Sequence, residues 1–375
     1  MKRLILISLV LFFCLDSIVY ADDIAIPSNS AILIERSTGQ ILYEKNANAR
    51  LPMASVTKTM TLLVAIEAVD GGKIKMDDIV TVSENSSSMT GSRVYLSTNE
   101  KISVSDLLKS IAVSSGNDAA VAIAEYVAGN EESFVSMMNK RAEELELQNT
   151  HFVNCYGLDA ENHYSSAYDL AIISNELLKH DSIRPFLVIW MDSIRDGSFT
   201  LSNTNKLVRF YDGCTGVKTG FTSQAMYCLS ASAMRDGMEL IAIILGGPNS
   251  KQRFADASAL LNYGFSNYKI EKCSSKNDIA RKIKIEKGAK PFINAVYEND
   301  YNFLCNKGET AEITQKIKLN DKIHAPIEKG DKVGTVTYYC NGKKSASANL
   351  VSDRTVKKCS FMKTMNKFIK EWLDF

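Results

Sequence analysis

No C-x-x-C pair occurs in the 375 residues, and none of the four histidines is spaced with a cysteine as a metal ligand would be. Nothing in the chain therefore calls for a metal or a cofactor. Charge of one sign is missing as well: 44 Lys and Arg stand against 43 Asp and Glu, so no nucleic-acid partner is expected. Internal repeats and low-complexity tracts are absent. So is a full membrane span, because the apolar run Leu4 to Leu15 is short and is stopped by Asp16. With Lys2 and Arg3 before it and Val19-Tyr20-Ala21 after it, that run reads as an export signal over residues 1–21. Cys14 follows Phe13 rather than a small residue, which argues against a lipoprotein site. Cleavage after Ala21 leaves 42 charges of each sign and seven cysteines, an odd number in a chain long enough for more than one domain. Most of those thiols are expected to be unpaired small hydrophobes.

Along the chain, Ala31 to Ile34 and Ile41 to Tyr43 flank a turn at Ser37-Thr38-Gly39-Gln40 and predict a hairpin. A helix is expected from Val56 to Val69, apolar on nearly every side and closed by Gly71-Gly72. Helices follow, among them Asp118 to Val127 and Glu131 to Leu147. Two strands, Tyr227 to Ala233 and Met238 to Leu245, then flank Arg235-Asp236-Gly237. Strands at both ends with helices between them describe an α/β sandwich, an antiparallel sheet covered by helices, over residues 22–268. Residues 269–355, rich in Lys, Asn and short β-prone runs, read as a small β domain. In residues 356–375, Phe361, Met362, Met365, Phe368, Ile369, Trp372 and Leu373 recur at helical spacing among lysines. Such a cationic amphipathic helix lies on an anionic membrane surface or docks on protein, and periodicity does not separate the two.

Three short segments carry chemistry. A serine hydroxyl is a poor nucleophile unless a base takes its proton, and Lys58 stands one helical turn beyond Ser55. Lysine is a base only when neutral, which the apolar helix favours by burial and Lys218 by its charge. Ser55 begins the helix, so its N–H is one half of an oxyanion hole. Ser115 and Asn117 lie in a loop before the next helix, placed to relay a proton to a leaving amine and to bind a substrate amide and Lys58. Lys218, Thr219 and Gly220 open a strand, where a cation and a hydroxyl bind a carboxylate and glycine admits a substrate backbone. Phe221 would give the second oxyanion N–H. Ser-x-x-Lys also occurs at Ser266 and Ser360, so the ordered set carries the signal rather than any one motif.

The set resembles that of the low-molecular-weight penicillin-binding proteins that are D-alanyl-D-alanine carboxypeptidases, sporulation-type members included. The match extends to Leu51-Pro52-Met53-Ala54, Met138-Asn139, Asn154-Cys155-Tyr156-Gly157-Leu158-Asp159 and His163-Tyr164-Ser165. The resemblance implies a serine β-lactamase/transpeptidase type fold with the residue roles above. Its expected partners are peptidoglycan stem peptides ending in D-Ala-D-Ala, β-lactams as covalent inhibitors, and an anionic membrane held through the terminal helix. It also implies that Arg253 helps hold the substrate carboxylate, and that the protein sits outside the cytoplasmic membrane. Cys155 departs from the family's usual proline, and Glu146 and Asn99 stand where glycine is common. A class A-like β-lactamase shares the three segments but carries a Glu-x-x-Leu-Asn loop, which Glu176-Leu177-Leu178-Lys179-His180 does not match. A DD-endopeptidase and a non-catalytic binder of wall peptides are the remaining alternatives.

Overall fold

The structure, a computed structural model, describes residues 24–309 and 312–359. The expected export signal and the expected amphipathic stripe from Phe361 to Leu373 lie outside the described residues. The expected hairpin forms as β1 (Ser30–Glu35) and β2 (Ile41–Lys45). A 3-10 turn (Ala54–Thr57) leads into α1 (Lys58–Asp70), so Ser55 lies in that turn and not in the first turn of the α-helix. Then come β3 (Ile79–Thr81), α2 (Glu84–Ser87), β4 (Lys101–Ser103), α3 (Val104–Ser114), α4 (Asn117–Ala128), α5 (Glu131–Glu144), α6 (Ala167–Leu177) and α7 (Arg184–Leu187). β5 (Met191–Ile194), β6 (Phe199–Ser202), α8 (Leu207–Phe210), β7 (Cys214–Thr222), β8 (Met226–Arg235), β9 (Met238–Gly247) and α9 (Ser250–Asn267) complete the region.

The central sheet is antiparallel in the order β2-β1-β9-β8-β7, with β7 at one edge. Alternation along its strands splits the core in two. Ile32, Ile34, Ile241 and Ile243 pack with α1, α3, α4 and α6 on one face, while Leu33, Leu240 and Ile244 pack with Leu260 and Leu261 of α9 on the other. α1 is buried around nearly its whole circumference, Lys58 included, as its apolar sequence requires. This is the expected antiparallel sheet covered by helices.

Among the described residues seven strands follow: β10 (Tyr268–Ser274), β11 (Ile279–Lys284), β12 (Phe292–Tyr297), β13 (Tyr301–Asn306), β14 (Ile313–Leu319), β15 (Lys332–Cys340) and β16 (Lys343–Ser352). β10 pairs with β13, and the others form an antiparallel sheet in the order β11-β12-β16-β15-β14. They enclose a core of their own around Ile293, Val333, Val336, Tyr338 and Leu350. This all-β unit runs to Cys359, past the position expected for the start of the terminal helix. Val356 is buried and pairs with Ile327, and the Cys359 N–H donates to the Lys287 carbonyl. Burial of Val356 and these backbone bonds hold residues 356–359 extended. All seven cysteines among the described residues are free thiols.

Candidate active site

Ser55 and Lys58 meet as the spacing requires. The Lys58 Nζ lies 3.0 Å from Ser55 Oγ and 2.6 Å from each of two carbonyl oxygens, Oδ1 of Asn117 and the backbone O of Tyr156. A neutral amine has two N–H bonds and one lone pair. With the two N–H bonds on the carbonyls, the lone pair is left for the serine hydroxyl. Lys58 is fully buried, and that burial pushes its pKa down to about 7, so it is neutral in about half the molecules at neutral pH. Lys218 is buried beside it. Its pKa is lowered first by burial and then by the nearby Lys58 and Arg253.

The second segment forms one wall. Asn117 heads α4, its Nδ2 donating to the Thr90 carbonyl at 2.6 Å and its backbone N–H to Ser92 at 2.7 Å, so its Oδ1 is aimed at Lys58. A Cβ on Gly91, already at φ +81°, would lie 2.8 Å from Asn117 Nδ2. Asp118 holds the loop above through Val94 N–H and Leu96 N–H. Ser115 caps α3 in a left-handed conformation, φ 62°, and is nearly buried. A non-glycine residue held there is strained, and such strain is found where a side chain must be aimed.

Lys218, Thr219 and Gly220 lie within the edge strand β7, not at its start, and run beside the 3-10 turn. A Cβ on Gly220 would sit 3.0 Å from the Ser55 nitrogen and 2.8 Å from the Met53 carbonyl, so only glycine lets the strand approach the nucleophile this closely. Thr219 Oγ1 bonds Thr204 Oγ1 at 2.6 Å, and Lys218 Nζ bonds the Thr219 carbonyl at 3.0 Å. Phe221 is half exposed, its ring 4.4 Å from that of Tyr227. Arg253 lies in the first turn of α9 and is buried. Its Nη1 donates to the carbonyls of Gly220 at 2.8 Å and Cys228 at 3.3 Å, while its Nε has no partner.

A third wall carries residues to which the motif reading gave no role. The Asn154–Leu158 loop supplies the Tyr156 carbonyl that Lys58 uses. Asn154 Oδ1 accepts from the N–H groups of Tyr156 and Gly157, and its Nδ2 donates to Leu158 O. Gly157, at φ +89°, packs so tightly that an added Cβ would fall 2.1 Å from the Ala54 carbonyl. Cys155 has an N–H where proline would have none, and Glu131 Oε1 accepts it at 3.3 Å. Below Ser55, the Val153 N–H donates to Nδ1 of His163, so the neutral ring carries its proton on Nε2 and donates to Thr57 Oγ1 at 2.8 Å. Burial lowers the His163 pKa to about 4. Thr57 in turn donates to the Ala54 carbonyl at 2.8 Å, which fixes the turn that presents Ser55. Asn154, Gly157 and His163 fall inside the resembling segments, but their spacing from Ser55 carries no sign of these contacts.

Comparison with known proteins gives the family of the chain. A family profile described as D-alanyl-D-alanine carboxypeptidase matches residues 17–249, and one described as penicillin-binding protein 5, C-terminal domain, matches residues 268–358. The chain is 43% identical to D-alanyl-D-alanine carboxypeptidase DacF of Bacillus subtilis, covering 94% of this chain and 92% of that protein. It is 34% identical to D-alanyl-D-alanine carboxypeptidase DacD of Escherichia coli, covering 98% and 99%. The crystal structure of penicillin binding protein 5 from Haemophilus influenzae superposes with a TM-score of 0.75 at 33% identity, covering 89% of this chain and 98% of that one.

Proposed function

The chain belongs to the D-alanyl-D-alanine carboxypeptidase family of penicillin-binding proteins, and we propose that Ser55 is the nucleophile that takes the acyl group of a stem peptide ending in D-Ala-D-Ala. The protein is a serine-type hydrolase that removes the terminal D-alanine. In the proposed sequence Lys58 accepts the Ser55 proton as Oγ attacks the carbonyl of the penultimate D-alanine. The N–H groups of Ser55 and Phe221 hold the developing oxyanion. Ser115 passes a proton to the departing amine, and Asn117 binds the substrate amide while it keeps Lys58 in place. Lys218 and Thr219, with Gly220 leaving room and Arg253 behind them, hold the terminal carboxylate. Water then attacks the acyl-enzyme with Lys58 again as base, which releases the shortened peptide and frees Ser55. A β-lactam enters by the same attack and remains as a long-lived acyl group.

The single observation that carries this reading is the buried Lys58 amine, lowered to about 7 and 3.0 Å from Ser55 Oγ with its two other bonds already satisfied. Residues 1–21 are proposed as an export signal, 22–268 as the catalytic region, 269–355 as the small β domain, and 356–375 as a membrane-anchoring segment whose first four residues are held by the β domain. That arrangement would hold the enzyme peripherally on the outer face of the cytoplasmic membrane. Among the described residues no helix is long and apolar enough to cross a bilayer. The test of the chemistry is D-alanine release from a peptide ending in D-Ala-D-Ala and from the same peptide with its terminal carboxylate amidated. Rapid release from the first and poor release from the second is expected. Equal release would remove the carboxylate-binding role of Lys218 and Thr219.

A further inference from the structure

Charge is divided unequally along this nearly neutral chain. Residues 22–268 hold 20 Lys and Arg against 29 Asp and Glu, whereas residues 269–359 hold 19 against 11. Part of that cationic surplus lies at one end of the β domain. β11 and β12 pair with Lys282 opposite Asn294 and Lys284 opposite Phe292, so Lys282, Lys284 and Phe292 share the face opposite buried Ile283 and Ile293. The turn that follows carries Lys287 and Lys290, and residues 357–359 are bonded to it: Ala289 N–H donates to Lys357 O, and Gly288 pairs with Lys358. Lys282, Lys284, Lys287, Lys290, Lys357 and Lys358 are all exposed, and none has a carboxylate within ion-pair distance among the described residues. The nearby acids are already engaged, Glu286 with His324 at 3.3 Å and Asp353 with Arg354. Among these lysines stands an exposed aromatic ring, Phe292, beside exposed Pro291 and with the Lys282 ammonium 4.6 Å from its centroid.

We infer that this end of the β domain, built on Lys282, Lys284, Lys287, Lys290 and Phe292, is a second membrane contact that docks on anionic phospholipid headgroups. Two observations select a bilayer over a soluble anion. The chain leaves the domain from this same surface into the cationic amphipathic segment, so a bilayer that receives the segment lies against these lysines. Phe292 adds an apolar group at the level of the ammonium groups, which suits an interface where headgroup phosphates lie beside acyl chains. The inference rests on the proposed peripheral attachment, yet it assigns part of the binding to the folded domain.

The experiment uses the full mature chain and vesicles of phosphatidylcholine alone or mixed with phosphatidylglycerol. Four proteins are compared: wild type, a domain variant (Lys282→Gln, Lys284→Gln, Lys290→Gln), a segment variant (Phe368→Ser, Trp372→Ser) and their combination. Each lysine near an anionic surface raises partitioning several-fold, so the domain variant should bind mixed vesicles about tenfold more weakly or worse, with neutral vesicles little affected. The segment variant should keep a salt-sensitive remainder that the combination loses. Equal binding of wild type and domain variant, with the segment variant released, would overturn the inference and leave the anchor reading intact. Equal binding of wild type and segment variant would count against the anchor alone. Failure of the wild type to bind any vesicle would remove both. The same loss on soluble polyphosphate, with no vesicle binding by wild type, would point to an anionic polymer and also overturn the inference.

Discussion

Acylation by penicillin should switch on as the pH rises through about 7, because the group that must be neutral is Lys58 and burial sets its pKa there. A lysine at its ordinary value of 10.5 is neutral at pH 7 in about 0.03% of molecules, against about half for Lys58, a gain of roughly 1,500-fold or about 4 kcal/mol. The second-order acylation rate, followed by stopped-flow loss of β-lactam absorbance, should therefore fall about tenfold per unit below the midpoint and level off above it. Asn117→Ala removes one of the two carbonyls that fix the amine, so it should lower the plateau by one to two orders of magnitude. A rate flat from pH 5.5 to 8.5, or a midpoint near 10, would refute the assignment of Lys58 as the base.

Gly157→Ala should cost several kcal/mol of stability or displace the Ser55 turn, since its Cβ would fall 2.1 Å from the Ala54 carbonyl; unchanged melting together with unchanged labelling would contradict that packing. His163 is lowered in the fold from 6.5 to about 4, so between those values the unfolded chain binds more protons and stability falls as the pH drops. The loss is about 3 kcal/mol in all and is absent above pH 6.5. Denaturant titrations of wild type and His163→Gln over that range should show the slope in the first and less of it in the second. Glu146 sits at φ 57°, a conformation that costs a side chain about 1 kcal/mol, so Glu146→Gly should raise the melting temperature by a few degrees; a lower one would show that the side chain is needed.

The hairpins and the apolar helix were legible because hydrophobic period and turn residues are local signals. Lys58 was legible for a similar reason, since one helical turn fixes its distance from Ser55. The positive φ at Glu146 and Asn99, 57° and 66°, is the conformation glycine takes without strain, which fits the glycine that the resemblance implies there. The Tyr156 carbonyl, the His163 to Thr57 bond and the Glu131 contact to Cys155 were not legible. Each joins segments many residues apart, and the Tyr156 and Cys155 contacts run through backbone atoms, which every residue type possesses. The bonding of residues 356–359 to the β domain was not legible because Val356 packs inward as a single buried side chain, within a lysine pattern that reads as helix.

The central claim is that Ser55 carries the acyl group. Mass spectrometry of the intact protein after brief exposure to benzylpenicillin, followed by peptide mapping, tests it most directly. One adduct on the peptide that contains Ser55, and none on a folded Ser55→Ala variant, is the expected result. An adduct on any other residue, or labelling of Ser55→Ala at the wild-type rate, would contradict it.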